Sequence, residues 1–259
     1  MTTQILAIGD IVGRPGRQFV RDNLRRIVAR EGVDLVIANG ENAAGGLGIT
    51  RAIAAELHDA GVHVITSGDH IWRRRDIARA LTQDNRLLRP QNYPPGAPGA
   101  GMVTVATHTG VPVRVINLLG RIFLEPLDCP FESIERVLAH TPGPPVTVVD
   151  FHAEATSEKA AMAWFLDGRV SAVLGTHTHV QTADERLLEH GTAFISDLGM
   201  TGAYRSILGR RVDQVIQRLR SRLYVPMEVA DGPVMMCGAI VSVDSETGRA
   251  TGIRRVAET

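Results

Sequence analysis

Apolar and polar positions along this chain repeat in a regular way. Short β-branched runs alternate with longer segments in which apolar residues recur every three or four positions. The run QILAIG (4–9) precedes a segment from about Pro15 to Arg30. There Phe19, Val20, Leu24, Ile27 and Val28 fall on one helical face, and Pro15 suits a first turn. DLVIAN (34–39) precedes a predicted helix over about Arg51 to Ala60, and VHVITS (62–67) precedes one over about Arg73 to Leu81. This βαβαβ rhythm predicts a sheet that begins parallel, with helices packed against it.

After Leu88 the pattern changes. RPQNYPPGAPGAG (89–101) reads as a Pro/Gly loop, and MVTVAT and VPVRVINL as two antiparallel strands joined around Thr109 and Gly110. A helix at about 131–140, the strand VTVVDF (146–151), a helix at about 157–167 and a strand ending at Leu174 restore the alternation. The strand TAFIS, a helix from about Val212 to Arg222 and the strands VMMCGAIVSVD and ATGIRRV close the chain. The pattern predicts an α/β fold of two mixed sheets face to face with helices outside. No internal repeat, low-complexity stretch or linker interrupts it, and 259 residues fit one core, so a single domain over residues 1–259 is expected.

Composition narrows the functional classes. The 28 basic and 28 acidic residues balance, so no global field gathers nucleic acid or anionic membrane, and an anionic substrate must be attracted locally. Lys159 is the sole lysine among the 28 basic residues, a compositional bias rather than a functional signal. The N-terminus enters a strand without a basic region or long apolar stretch, and no apolar run reaches the roughly 18 residues of a membrane span. The expectation is a cytoplasmic protein with no membrane partner. Cys129 and Cys237 stand far apart without a CxxC pattern, which predicts two unpaired, buried thiols that ligate no metal.

The chemistry collects where the apolar runs stop. The first run ends in Gly9-Asp10, the second in Asn39-Gly40-Glu41-Asn42 and the third in Gly68-Asp69-His70. Later runs end in Asp150-Phe151-His152 and Gly175-Thr176-His177-Thr178-His179. The carboxyl ends of strands form the ligand crevice of open α/β sheets, so these residues can meet there. Taken singly, Asp10 reads as a turn cap and His152 as a core histidine. His177 and His179 are harder to dismiss, because residues two apart on an extended segment face the same side. Together the carboxylates, the amide and the three histidines form a mixed oxygen and nitrogen donor set. It suits Mn, Fe or Zn and is too rich in imidazole for Mg or Ca. The donors outnumber the needs of one tetrahedral ion, which points to a pair of ions that activate a water and clamp a phosphoryl group. Glu41 is the carboxylate expected to bridge them.

GDIVG, NGENAAGG, GDHIW, DFHAEATSEK and GTHTHVQTAD, in this order and spacing, resemble the YmdB-like branch of the calcineurin-like metallophosphoesterases. LLRPQNYPPG, INLLGR and ISDLGMTG extend the likeness from residue 5 to about 202. The resemblance implies a four-layer αββα sandwich, a dinuclear centre of two divalent ions and hydrolysis of a small phosphodiester, with cyclic nucleotides as the substrate class. Iron or manganese is favoured, with zinc as the alternative. By the same resemblance one ion would be held by Asp10, Glu41, Asn42 and His179. The other would be held by Glu41, Asp69, His152 and His177, and His70 would be the general acid. The wider superfamily begins with Asp-x-His, whereas Ile11 and Val12 follow Asp10 and Asn42 takes that place, as is typical of this branch.

Position 69 departs from the family, which carries Asn before the catalytic histidine. An ionised Asp69 adds a third negative charge opposite the ions, which should make them weaker Lewis acids and raise the pKa of the attacking water. The same carboxylate beside His70 would favour its protonated form. The expected mechanism is attack by a hydroxide shared between the ions, with His70 protonating the departing sugar oxygen. The alternative is a regulatory metal-binding protein of the same fold that turns over little because of Asp69.

Two other readings fail on the residues. An SGNH-type esterase would need a serine where Ile11 stands, and the GxxxGxxG of Gly9, Gly13 and Gly16 is not a dinucleotide fingerprint. The Arg73-Arg74-Arg75 run reads first as a solvated face and second as a lure for phosphate. Lys159 and the preceding EATSE read as a helix start capped by Thr156 or Ser157, with support of the site as the alternative. His58, His63, His108, His140 and His190 show no partner pattern. Nothing in the chain reads a base, an RNA end stays open as a substrate, and homo-oligomeric assembly is the default for a soluble enzyme.

Overall fold

The computed structural model describes residues 1–141 and 143–259. Its first half forms β1 (Thr2–Ile8), β2 (Asp10–Ile11), α1 (Gly13–Glu31), β3 (Leu35–Asn39), α2 (Arg51–Ala60) and β4 (Val64–Thr66). A 3-10 turn at Ile71–Arg73 then leads to α3 (Ile77–Gln83). The central part forms β5 (Met102–Ala106), β6 (Pro112–Leu119), α4 (Pro130–His140), β7 (Val146–His152), α5 (Thr156–Phe165) and β8 (Ala172–Thr176). The rest forms β9 (Arg186–Leu187), β10 (Ala193–Ile195), β11 (Met200–Ala203), α6 (Val212–Ser221), β12 (Val234–Asp244) and β13 (Ala250–Glu258).

Two mixed sheets result. In the first, β1, β3 and β4 run parallel, and the long β12 lies antiparallel between β1 and β13. The leading residues of β12 pair with β11, which carries β2 beside it. In the second, β6, β7, β8 and β10 are parallel, with β5 and β9 as antiparallel edges. Strand alternation divides the apolar residues among three cores. Ile5, Ala7, Leu35 and Ile37 of the first sheet meet Val113, Val115, Val146 and Val148 of the second between the sheets. On the far side of the first sheet, Leu6, Ile8, Val36 and Ala38 pack against Val20, Leu24 and Ile27 of α1 and Ala54 and Leu57 of α2. Val149, Phe151, Val173 and Phe194 pack on the other side against Ile134 of α4 and Met162 of α5. The expected αββα order of layers is the order observed.

Several expectations need correction. The helix expected from Arg73 starts at Ile77, because Arg74 is extended (φ −116°, ψ 136°) and breaks it. The helix expected at 157 has Ala155 as its N-cap with no side-chain hydrogen bond, so Thr156 and Ser157 are not its caps. Short strands β2 and β11 have no counterpart in the apolar pattern. Both cysteines are free, as expected, but Cys129 is half-buried where full burial was expected, while Cys237 is buried. Among the described residues no helix is long and apolar enough to cross a membrane.

Candidate metal centre

Parallel strands of both sheets end at one rim, and the polar residues that follow them converge there. Asp10, Glu41, Asn42 and His152 are buried, while Asp69, His70, His177 and His179 keep partial access to solvent. Two groups form. In one, Asn42 Nδ2 lies 3.3 Å from Asp10 Oδ1 and 3.2 Å from His179 Nε2. In the other, His152 Nε2 lies 3.3 Å from Asp69 Oδ1 and 2.9 Å from His177 Nδ1. Glu41 stands between them, its Oε1 3.3 Å from Asn42 Nδ2 and 3.2 Å from His152 Nε2. Glu41, Asp69, His152 and His177 each present a donor atom, all within 4.8 Å of one another. All eight residues singled out from the sequence therefore meet at one place, and the other five histidines do not join them.

The two histidines after β8 reach their places by a different route from the one the alternation of a strand suggested. The strand ends at Thr176, and His177 (φ 104°) and His179 (φ 64°) are both left-handed. Non-glycine residues in this region carry strain and cluster at functional sites. The backbone turn sends His177 to the Glu41 and Asp69 side and His179 to the Asp10 and Asn42 side. Gly68 serves the site by close approach: a Cβ there would overlap the His152 ring and the Glu41 carboxylate.

Each of the three histidines has its outer nitrogen engaged, which aims the other one inward. His152 Nδ1 lies 3.0 Å from Thr176 Oγ1, and that hydroxyl donates to Asp150 Oδ1 at 2.7 Å. The Thr176 oxygen is therefore left to accept the Nδ1 proton. His177 Nε2 lies 3.0 Å from Glu154 Oε2, and His179 Nδ1 lies 3.2 Å from the Leu208 carbonyl oxygen. Orientation of this kind is the rule for histidines that ligate metal. No motif marks Thr176 or Leu208 for these roles, and Glu154 is hidden within the EATSE segment.

A buried ion pair braces the histidine loop. Lys159 Nζ donates to Asp197 Oδ2 at 2.7 Å, and the same oxygen accepts from the backbone N of Thr178, between the two histidines, at 3.0 Å. The supporting role weighed for Lys159 is thus the one the fold uses. The arginine run also divides. Arg74 donates to the carbonyls of Leu47 (2.9 Å) and Ala44 and so clamps the glycine-rich loop after Glu41. Arg73 lines a cavity together with Asp69, while Arg75 is solvent-exposed.

Electrostatics set this cluster apart from an ordinary polar rim. Burial opposes ionisation of Asp10, but the His179 and His152 imidazoles and the backbone N of His177 hold its carboxyl well below the usual range. Asp69 is likewise held low against the effect of burial, by its hydrogen bond with His152. For His152, burial is overcome by the Glu41 charge and the Asp69 hydrogen bond, and its pKa rises well above the ordinary value. Burial and the charge on His152 lower that of His177. Burial lifts Asp150, behind the cluster, to about 6. Buried carboxylates facing inward-aimed imidazole nitrogens need cationic compensation, and this donor set fits divalent transition-metal ions.

The fold and this cluster define a protein of the calcineurin-like metallophosphoesterase class. The model of the YmdB-like protein family matches residues 6–256, and the chain belongs to that family. It is 44% identical over 254 residues to the 2',3'-cyclic-nucleotide 2'-phosphodiesterase of Bacillus subtilis (strain 168), covering 98% of this chain and 96% of that one. A solved structure described as a hypothetical protein from Thermus thermophilus superposes with a TM-score of 0.92 at 40% identity, covering 99% and 100% of the two chains. A solved structure described as a novel phosphatase of Mycoplasma pneumoniae gives 0.93 at 30% identity, covering 99% and 93%.

Proposed function

We propose that the protein is a dinuclear-metal phosphodiesterase of the cytoplasm that opens 2',3'-cyclic nucleotides. One observation carries this reading: the buried Glu41 carboxylate stands between the Asp69, His152 and His177 donors on one side and Asp10, Asn42 and His179 on the other. One ion would be held by Asp10, Asn42 and His179, the other by Asp69, His152 and His177, with Glu41 common to both and Fe or Mn the fitting metals. When bound, the ions would activate the attacking water and neutralise charge on the phosphoryl oxygens.

The chain's own groups do the rest. His70 sits at the rim with its side chain 27% exposed, enough to meet a substrate while anchored to the cluster. Its Nδ1 lies 2.9 Å from the Asn42 side-chain amide, and its backbone N donates to Glu41 Oε2 at 3.1 Å. Nε2 is left as the atom that can hand a proton to the departing ribose oxygen. The substrate class rests on the 44% identity to the Bacillus subtilis enzyme. Phosphorus-31 spectra of the protein with Mn²⁺ and 2',3'-cyclic AMP should show the cyclic diester replaced by a nucleoside monophosphate. A cyclic signal that persists with metal-loaded, folded protein would favour the regulatory alternative.

A further inference from the structure

Phe123 is 87% exposed, a large apolar ring left in water. It also takes a left-handed backbone conformation, φ 64°, where a bulky side chain is strained and a glycine would not be. Neither property helps the fold. The loop that carries it is nonetheless firmly held. The Glu158 carboxylate, itself buried, accepts hydrogen bonds from the backbone N of Arg121 at 3.0 Å and of Ile122 at 3.2 Å, and Leu124 packs against the core beneath the first sheet.

Phe123 lines a cavity of about 410 Å³ with Asp69, Trp72, Arg73, Leu124 and Glu125, a size within the roughly 300–1,000 Å³ of small-molecule sites. Asp69 belongs both to this cavity and to the metal centre. Trp72 is fixed edge-on against Tyr93 with ring centroids 5.5 Å apart. Arg73 has no ion-pair partner among the described residues. Clefts of 490 and 520 Å³ beside Arg14 and Arg21 contain none of the cluster residues.

We infer that this cavity is the nucleobase pocket of the site, in which the Phe123 ring stacks on the base of a nucleotide whose phosphodiester lies at the metal centre. The inference rests on the phosphodiesterase reading for the position of the phosphate. An exposed ring on a held loop, with a strained backbone beside a phosphoester centre, is the kind of platform that binds bases through their π-faces, and stacking of this sort tolerates all four bases. The pocket therefore takes nucleotides as a class, and base identity is a secondary factor.

The test compares wild type, Phe123→Gly, Phe123→Ala and Phe123→Trp, each loaded with Mn²⁺. Turnover is measured on 2',3'-cyclic AMP and on the base-free methyl ribofuranoside 2',3'-cyclic phosphate, and calorimetry measures binding of adenosine 3'-monophosphate against ribose 5-phosphate. Phe123→Gly and Phe123→Ala should raise KM for the nucleotide about ten-fold, with kcat and the base-free KM unchanged. Phe123→Trp should keep nucleotide affinity, and Phe123→Gly should melt no lower than wild type, since glycine suits φ 64°. Equal losses on both substrates, or an unchanged nucleotide KM, would overturn the pocket and leave Phe123 as a structural or protein-contact residue. If wild type turns over neither diester, the phosphodiesterase reading fails, and the calorimetry decides the pocket alone. A preference for the adenosine ligand that Phe123→Ala abolishes upholds the pocket, and its absence overturns it.

Discussion

Asp69 concentrates the chemistry of this protein in one side chain. Its Oδ1 lies 3.3 Å from His152 Nε2 and 3.6 Å from His177 Nδ1, and its Oδ2 lies 3.5 Å from His70 Nε2. The residue that departs from the family pattern therefore sits at donor distance, where its charge acts directly on bound ions. In the proposed two-ion centre it would join Asp10 and Glu41 as a third carboxylate facing the metal. Replacing Asp69 by Asn should strengthen the ions as Lewis acids, and the acid limb of the kcat/KM profile should move down by about one pH unit. An unchanged limb in Asp69→Asn would refute the charge argument. At this scale the sequence was informative: each candidate residue lies at or just past the end of an apolar run, and the family resemblance picked the eight from the polar residues gathered there. Their outer partners were hidden, because Thr176, Glu154 and the Leu208 carbonyl carry no motif and act only through the folded geometry.

At the scale of elements, the histidine loop after β8 depends on a brace from α5. Lys159 and Asp197 are 38 positions apart, a separation at which no spacing argument applies, and their ion pair is buried. Lys159→Met would leave the Asp197 carboxylate buried without its partner, at a cost of about 3–5 kcal/mol. It would also loosen the Thr178 backbone between the two histidines. Unfolding free energy should fall by that amount and metal affinity should drop with it, whereas a variant with wild-type stability and metal content would contradict the brace. Long apolar runs and helical faces were legible because burial imposes their periods. Strands β2 (2 residues) and β11 (4 residues) were not, since they pair with each other and with β12 through backbone groups rather than through an alternating side-chain pattern. The late start of α3 was likewise hidden, because it follows from the contacts of Arg74 with a loop about 30 residues earlier in the chain.

For the whole molecule, two sets of parallel strands deliver their carboxyl ends to one rim, and the stability of that rim is linked to protons and metal. Burial acts against the charged forms of His152 and His179, but Glu41 and Asp69 raise the former and Asp10 raises the latter. A group raised in the folded state stabilises fully below its unfolded pKa of roughly 6.5, and that stabilisation is lost as pH rises through the folded value. Asp10 and Asp69, held low, stay ionised throughout this range. Metal needs the deprotonated imidazoles, so it takes over from the protons as they leave. Chelator should therefore lower the melting temperature more at about pH 8 than at about pH 6, and an equal or reversed effect would count against metal at these residues.

Metal-dependent phosphodiester hydrolysis with His70 as proton donor unites these three scales. Its most direct test is the rate of 2',3'-cyclic AMP hydrolysis with Mn²⁺ and with chelator, in wild type and in His70→Ala, because the departing ribose oxygen is too basic to leave readily without a proton. The expected result is turnover that chelator abolishes, Mn²⁺ restores and His70→Ala lowers by about 10²–10⁴-fold. Turnover indifferent to chelator, or none from folded protein shown to contain metal, would contradict it.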